Sequence, residues 1–314
     1  MSRRRFFAGL IALPLCGAAG LARTDSAPPA PYPHALIVVA HPDDESCFSA
    51  TVYEITHNLG GAVDELVVTN GEGGYRYSLL AESYYHAPLT DEKTGRELLP
   101  EIRRKEALEA GRILGVSNHF FLGERDVRYT QDVDEVLHQH WNESAVRAGI
   151  KNRLEAGKYD FVLTLFPTLD AHGAHKAAAL TALAAVEDMP GGKPLVLACQ
   201  DASSKSATPL DWTGFQNPKH PFTVALRRYA VDRTVRFGFN GVMDYSIVAN
   251  WVIAAHKSQG AFQMDAGRFD REEFAILGPA PVSDTDKTDK LFTSLSETAA
   301  HPPGVSATDP PQRK

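Results

Sequence analysis

Residues 35–40 form an uninterrupted apolar run that ends abruptly in a polar corner made of His41, Pro42, Asp43 and Asp44. An apolar run without alternation is typical of a strand that is buried on both faces, as in a parallel sheet. Pro42 ends the strand because proline has no N–H to donate. Open α/β sheets bind their ligands at such strand-to-helix corners, beyond the carboxyl ends of the strands. We therefore expect the functional site at this corner.

Apolar β-type runs alternate with helical patterns along most of the chain. The β-type runs lie at residues 35–40, 65–69, 120–122, 161–166 and 194–199, and the helical patterns at 46–58, 103–114, 133–156, 175–189 and, late in the chain, 244–261. Such alternation is typical of βαβ units. The sequence therefore predicts an α/β fold with a mostly parallel sheet that helices cover on both faces.

Composition places the chain among ordinary globular proteins. It has 314 residues, of which 43% are hydrophobic and 23% charged, and its formal net charge is -7. This charge argues against general binding to nucleic acid or to anionic membranes.

We expect one domain over residues 34–278. The long segment 75–100 is expected to be a lid or a disordered connection, and residues 279–314, rich in Pro, Asp, Thr and Ser, to be a disordered tail.

The first 33 residues have the pattern of an export segment. Three arginines, Arg3 to Arg5, precede a short apolar stretch over residues 8–15 and small residues through Ala22. This pattern indicates a signal peptide over residues 1–22 that resembles a twin-arginine signal, with an ordinary Sec signal as the alternative. The apolar stretch is too short to span a membrane. A Pro-rich spacer follows over residues 23–33, and we expect a periplasmic or secreted protein.

A second polar corner follows the apolar run 161–166. There His172 and His175 precede an alanine-rich helix, again past the carboxyl end of a strand. Because parallel strands bring such corners to one edge, the two histidines should lie near His41, Asp43 and Asp44. Two histidines and one carboxylate are a common ligand set for catalytic zinc, and the surplus groups suit acid–base chemistry.

Each of these corners also has a simpler interpretation. Asp43 and Asp44 could have no role beyond complementing a helix dipole. Two histidines three residues apart often lie on a surface. Two such corners on one edge are a less probable coincidence than either alone, so a shared site is favoured. Cys47, close to the first corner, is interpreted as a small buried residue rather than a nucleophile.

The motif over residues 40–45, Ala-His-Pro-Asp-Asp-Glu, resembles the signature of the PIG-L/LmbE-like N-acetylglucosaminyl deacetylase family. The motif over residues 172–175, His-Gly-Ala-His, resembles the second histidine pair of that family, although Ala174 stands where an aspartate is common. Weaker similarities lie at residues 69–73, 104–106, 114–116, 126 and 256–259. The resemblance extends from about residue 35 to residue 263, and it implies a Rossmann-like three-layer sandwich of the LmbE-like type.

This resemblance also implies roles for individual residues. His41, Asp44 and His175 would bind one Zn²⁺ per chain. Asp43 would be the general base, and His172 would stabilise the charged intermediate or protonate the leaving amine. The resemblance implies two further residues: Asp126 as a partner that orients a histidine, and Arg76 as a contact to substrate.

The activity implied is hydrolysis of an N-acetylglucosamine-type amide, which releases acetate and a free amine. Two alternatives stay open, namely a zinc hydrolase of another amide or ester bond and a non-catalytic sugar-binding protein on the same scaffold. The expected partner is a small molecule or glycan that bears an N-acetyl group. No nucleic acid and no transmembrane segment are expected.

Overall fold

A computed structural model describes residues 33–278 and 285–305. The expected signal peptide over residues 1–22 and all of the expected spacer except Pro33 lie outside these residues, as do both ends of the expected tail. Among the described residues, no helix is both long and apolar enough to cross a bilayer.

Seven strands form one sheet: β1 (His34–Val39), β2 (Ala62–Thr69), β3 (Asn118–Glu124), β4 (Phe161–Leu165), β5 (Leu195–Ala202), β6 (Thr223–Asp232) and β7 (Arg271–Gly278). Their order is β3-β2-β1-β4-β5-β7-β6. The first five are parallel to one another, and β7 runs antiparallel to both β5 and β6. The predicted mostly parallel sheet is confirmed.

Eight α-helices accompany the sheet in the described part of the chain: α1 (Ser49–Tyr53), α2 (Glu82–Tyr85), α3 (Glu92–Leu114), α4 (Val133–Glu135), α5 (Glu143–Gly157), α6 (Gly173–Glu187), α7 (Ser246–Ala255) and α8 (Asp286–Ala299). Short 3₁₀ turns lie at Asp44–Phe48, Glu72–Ala81, Phe239–Gly241 and Phe262–Asp265, and π turns at Glu54–Asn58 and Val136–His140.

Strand β1 lies inside the sheet, between β2 and β4, and faces two separate cores. Ala35, Ile37 and Val39 point to one side, where they pack in a cluster with residues of α1, α3, α7 and α8. Leu36 and Val38 point to the other side, toward residues of α5 and α6. Because successive side chains of a strand alternate between faces, a fully apolar strand is required here. The three-layer sandwich predicted for this chain is confirmed.

The segment 75–100 is not the disordered connection that the sequence offered as one alternative, and the other alternative, a lid, stays a prediction. It forms a 3₁₀ turn, α2 and the first turns of α3, which begins at Glu92 because the side chain of Asp91 accepts a hydrogen bond from the Thr94 amide at 2.9 Å. Pro100 is accommodated inside α3. Tyr75, Leu89 and Leu99 form a small core of their own, so part of the aromatic content of this segment serves packing.

The expectation of a disordered tail is wrong for residues 286–299. These residues form α8, whose Leu291, Phe292 and Leu295 are buried in the same core as β1. The Phe292 ring stacks on Tyr229 of β6 at a centroid distance of 4.7 Å. The polar composition of the segment concealed an apolar stripe at helical spacing, which is the pattern that a docked surface helix requires.

Replacement of Leu295 by alanine tests this packing. Leu295 is 1% exposed, and removal of a fully buried leucine side chain costs roughly 2–5 kcal/mol. We expect the Leu295→Ala variant to lose about that much free energy of unfolding in a urea titration. The matched control is Ser296→Ala, at the neighbouring exposed position. Equal stability of the two variants would show that α8 does not dock on the core.

Candidate metal centre and active site

The first polar corner is held in shape by the side chain of Asp44. After β1 the chain turns sharply, and the backbone amides of Ala40 and His41 both donate to Asp44 Oδ2, at 3.0 and 2.8 Å. One carboxylate oxygen is thereby tied to the turn. The other, Oδ1, lies 3.1 Å from His175 Nε2. Asp44 thus links the turn after β1 to the helix that follows β4.

The second polar corner is the amino end of α6. His172 is the N-cap residue, and its Nδ1 accepts a hydrogen bond from the Ala174 amide at 2.9 Å. His175 lies in the first turn of the helix, and its Nε2 is 3.1 Å from His41 Nδ1. Since β1 and β4 are adjacent and parallel, their carboxyl ends bring the two corners together, as the sequence predicted.

The three atoms His41 Nδ1, Asp44 carboxylate oxygen and His175 Nε2 have the spacing of a metal site. His175 Nε2 lies 3.1 Å from both His41 Nδ1 and Asp44 Oδ1, and His41 Nδ1 lies 3.6 Å from the other carboxylate oxygen, Asp44 Oδ2. Ligand atoms around a tetrahedral zinc ion, each about 2.0–2.1 Å from it, lie roughly 3.3 Å from one another. The residues present therefore fit a divalent ion bound by two imidazoles and one carboxylate.

Electrostatics in this trio also favour a cation. Burial lowers the pKa of His41, but the carboxylates of Asp44, Asp126 and Asp43 more than offset this and raise it to about 9. Burial alone would raise the pKa of Asp44, yet His175 and His41 hold it well below its usual range. The buried carboxylates thus favour positive charge at the imidazoles, which a proton or a metal ion can supply.

A second group of possible ligands consists of His41, Asp126 and His172. The hydrogen bond from Ala174 to His172 Nδ1 distinguishes this group from the first. A neutral imidazole whose Nδ1 accepts a hydrogen bond carries its proton on Nε2, so neither nitrogen is available to a metal. Burial, together with His41 and His175, lowers the pKa of His172 to about 3. His172 is therefore a neutral hydrogen-bond donor rather than a ligand.

Asp43, Asp126 and His172 line the same cavity as the trio. The cavity has a volume of about 390 Å³ and lies at the carboxyl edge of the sheet. Asp126 follows β3, and its carboxylate approaches His41 Nε2 to 4.0 Å. Burial and the adjacent Asp44 raise the pKa of Asp43 to about 6, while His256, His41 and Arg103 limit the rise. The cavity thus combines three possible ligands with a carboxylate and an imidazole donor.

Arg76 does not line this cavity, contrary to the expectation that it contacts substrate. Its side chain is exposed, and its Nε donates to the Tyr75 hydroxyl at 3.1 Å. The arginine that does line the cavity is Arg103 of α3, which is 2% exposed and donates to the carbonyl oxygens of Gly71 and Gly74. Side chains at these two glycines would collide with the guanidinium.

Sequence reasoning missed Arg103, although a signal was present. Arg103, Ala107, Ala110 and Leu114 recur at helical spacing and are all buried. An arginine on the apolar face of a predicted helix is unusual, since arginine is almost never fully buried unless it is paired. That position alone could have identified it as a residue of the site.

A buried pair lies behind the first corner. His256, which follows α7, places its Nε2 2.5 Å from Glu45 Oε1, and both side chains are fully buried. Burial lowers the pKa of His256, but Glu45 and Asp43 raise it to about 9. The pair therefore places a positive imidazolium near the Asp43 carboxylate.

Arg233 forms a second buried network beneath the 3₁₀ turn that carries Asp44. Its Nε donates to Glu272 at 2.8 Å, and its Nη2 donates to Asp201 at 2.9 Å and to the carbonyl oxygens of Ser46 and Cys47. Glu272 in turn accepts hydrogen bonds from the backbone amides of Ala50 and Thr51 in α1. This network connects β6 and β7, which the sequence did not predict, to the corner after β1.

The Cys47 thiol does not have the properties of a nucleophile. A hydrogen bond with Cys199 lowers its pKa, but burial and the carboxylates of Asp201 and Glu272 together raise the pKa to about 11. The thiolate, which is the reactive form, is therefore scarce near neutral pH.

The comparisons with known proteins agree with this site. A profile of the PIG-L family, described as GlcNAc-PI de-N-acetylase, matches residues 36–186, which include both polar corners. The predicted resemblance to the PIG-L family is confirmed over these residues. Among curated proteins, none matches this chain.

Two solved structures are similar in fold. A deacetylase in the biosynthesis pathway of teicoplanin shares 14% identity, with 80% of this chain and 100% of that chain covered and a TM-score of 0.52. The deacetylase Dbv21, which acts on the pseudoaglycone of A40926, shares 16% identity over 80% of this chain and 99% of that chain, with a TM-score of 0.51. At these identities the similarity shows the fold.

Removal of the Arg233 side chain tests the buried network. Arg233→Ala leaves the carboxylate of Glu272, which is 0% exposed, without its cation, and such a change costs about 3–5 kcal/mol. We expect a loss of this size in the free energy of unfolding, measured by denaturant titration. Arg227→Ala is the control, because Arg227 pairs with Asp289 at 2.9 Å on the surface and should cost under about 1 kcal/mol. Similar losses in both variants would contradict a special role of the network.

Proposed function

We propose that this protein is a zinc-dependent hydrolase that removes an acetyl group from an N-acetylglucosamine-type amide and releases acetate and a free amine. The observation that carries the proposal is the convergence of His41, Asp44 and His175 beside Asp43 and His172 in one cavity. The family match over residues 36–186 supports the same class of reaction.

His41, Asp44 and His175 would hold one zinc ion per chain. When bound, zinc supplies Lewis-acid chemistry, since it polarises a carbonyl group and lowers the pKa of a water molecule toward about 7. Asp44 is also fixed by the Ala40 and His41 amides, so its free oxygen is oriented before any ion arrives. Such fixed orientation of ligands raises metal affinity.

Asp43 would take the proton from the attacking water. With a pKa of about 6, its carboxylate is mostly ionised at neutral pH, yet it is more basic than an exposed aspartate. The water oxygen forms a bond to the acetamide carbon, and the proton moves to Asp43. When the C–N bond breaks, the same proton passes to the leaving nitrogen, which leaves as an amine.

His172 would stabilise the oxyanion that develops on the carbonyl oxygen. The family resemblance left two roles open for this residue, and the Ala174 hydrogen bond at Nδ1 favours one of them. A neutral ring with its proton on Nε2 can donate a hydrogen bond to the oxyanion. Protonation of the amine by His172 would require a proton on Nδ1, where the Ala174 amide already donates.

Export is part of the same proposal. The arginines and the apolar stretch of the first 22 residues support a periplasmic or secreted enzyme. Its substrates would then be envelope glycans, extracellular oligosaccharides or secreted metabolites that carry an N-acetyl group.

The Asp43→Asn variant tests the general base. The amide cannot accept the proton, so kcat should fall by about 10²–10⁴-fold, while zinc content stays near one equivalent. Acetate release from N-acetylated sugars and elemental analysis of the same sample measure both quantities. Asp170→Asn, at an exposed position in the second corner, is the matched control. Near-normal turnover in Asp43→Asn would exclude Asp43 as the base.

The His175→Ala variant tests the ligand set. One of three ligand atoms is removed, so we expect the zinc content measured by elemental analysis to fall well below one equivalent, and acetate release to fall with it. His138→Ala is the control, because His138 is an exposed histidine outside the cavity. Full zinc occupancy in His175→Ala would disprove the assignment of His175 as a ligand.

A further inference from the structure

A second groove adjoins the active-site cavity and shares one wall with it. This groove has a volume of about 530 Å³, and Asp201 lines both it and the active-site cavity. It is built from the residues that follow β5 and from the start of β7. Because β5 is parallel to β4, and β7 starts where β5 ends, the groove lies at the same edge of the sheet as the metal ligands.

Cations predominate among the charged side chains of the groove. Lys205, Arg268 and Arg271 line it together with two carboxylates, Asp201 and Glu273. Asp201 already accepts a hydrogen bond from Arg233 at 2.9 Å, so its charge is compensated from outside the groove. Arg268 is paired with Asp265 at 3.0 Å. Lys205 and Arg271 are less fully compensated, since the one carboxylate paired with Arg271 is Glu273, at 4.0 Å.

These two cations have unused hydrogen-bonding capacity. Arg271 Nε is buried and has no hydrogen-bond partner among residues 33–278 and 285–305, and it approaches Glu273 only to 4.0 Å. Within the same residues Lys205 forms no ion pair. Nε itself is out of reach of a ligand, but the Arg271 side chain is 43% exposed, so its two terminal nitrogens can donate hydrogen bonds to an acidic group in the groove.

The remainder of the wall suits a sugar. Ser203, Ser206 and Thr208 present hydroxyl groups along the loop after β5, and Phe269 contributes an apolar surface. Hydroxyl groups can both donate and accept hydrogen bonds, which matches the hydroxyls of a sugar ring. The loop is held in place by Ser204, which donates from its backbone amide and its hydroxyl to Asp270, at 2.7 and 2.6 Å.

We infer that this groove is a subsite for an anionic sugar unit linked to the N-acetylated sugar, and that Lys205 and Arg271 bind its acidic group. The inference rests on the proposed function, because it places the N-acetylated unit in the adjoining cavity. The substrate class is then an acidic oligosaccharide. The planar guanidinium of Arg271 suits a carboxylate or an ester oxyanion, since it can donate two parallel hydrogen bonds.

Binding of three tetrasaccharides tests the subsite without any need for turnover. The probes are hyaluronan tetrasaccharide, which carries carboxylates, 6-O-sulfated chitotetraose, which carries sulfate esters, and neutral chitotetraose. We expect at least one acidic probe to bind the full-length protein about tenfold more tightly than the neutral one, as measured by calorimetry at low salt. Added salt should weaken this preference. Equal affinity for all three probes, or preference for the neutral one, would overturn the inference.

The double variant Lys205→Gln/Arg271→Gln should abolish the preference and leave the affinity for chitotetraose unchanged. The matched control is Lys158→Gln/Lys193→Gln, which removes two cations just before β4 and β5, at the opposite edge of the sheet. If the double variant fails to fold, Lys205→Gln alone should reduce the preference about threefold or more. A preference that survives in Lys205→Gln and in a folded double variant would disprove the assignment.

Acetate release from the same probes separates the two proposals. Binding with the expected preference but without acetate release from any N-acetylated sugar would count against the proposed function and leave the acidic subsite in place. Acetate release from all three probes at equal kcat/KM, with equal affinities, would support the deacetylase and remove the subsite.

Discussion

The carboxylate of Asp44 is the contact on which the rest of the site depends. One of its oxygens accepts hydrogen bonds from the amides of Ala40 and His41 and so fixes the turn after β1. The other oxygen lies 3.1 Å from His175 Nε2. A single side chain thus sets the local backbone and joins two corners that are far apart in sequence. The parallel pairing of β1 and β4 makes this possible, because it brings both corners to one edge.

Several charged side chains around this contact are buried, and each of them has a buried partner that compensates its charge. Glu45 pairs with His256 behind the corner, Arg233 binds Glu272 beneath it, and Arg103 lies across the cavity. Unpaired buried charges would be costly, so each cation is matched by carboxylates or carbonyl oxygens. The result is a carboxylate at Asp43 that stays ionised at neutral pH but is more basic than usual.

The sequence predicted the five parallel strands and the meeting of His41 with His175, because apolar runs and strand-end corners are local patterns. It did not predict β6 and β7, whose polar residues and antiparallel pairing depend on distant partners. It treated residues 286–299 as loose because their apolar stripe is set in polar residues. Arg233 was also missed, since its partners Asp201 and Glu272 come together only in the folded chain, whereas Arg103 could have been recognised from its place on the apolar face of α3.

The central claim is that two imidazoles and one carboxylate surround a single divalent ion at the edge of the sheet. X-ray absorption spectroscopy at the zinc edge tests it most directly, on full-length protein loaded with one equivalent of zinc. The account predicts nitrogen and oxygen ligands at about 2.0–2.1 Å, with outer-shell scattering from two imidazole rings. A sulfur ligand at about 2.3 Å, or scattering from fewer than two imidazoles, would contradict it.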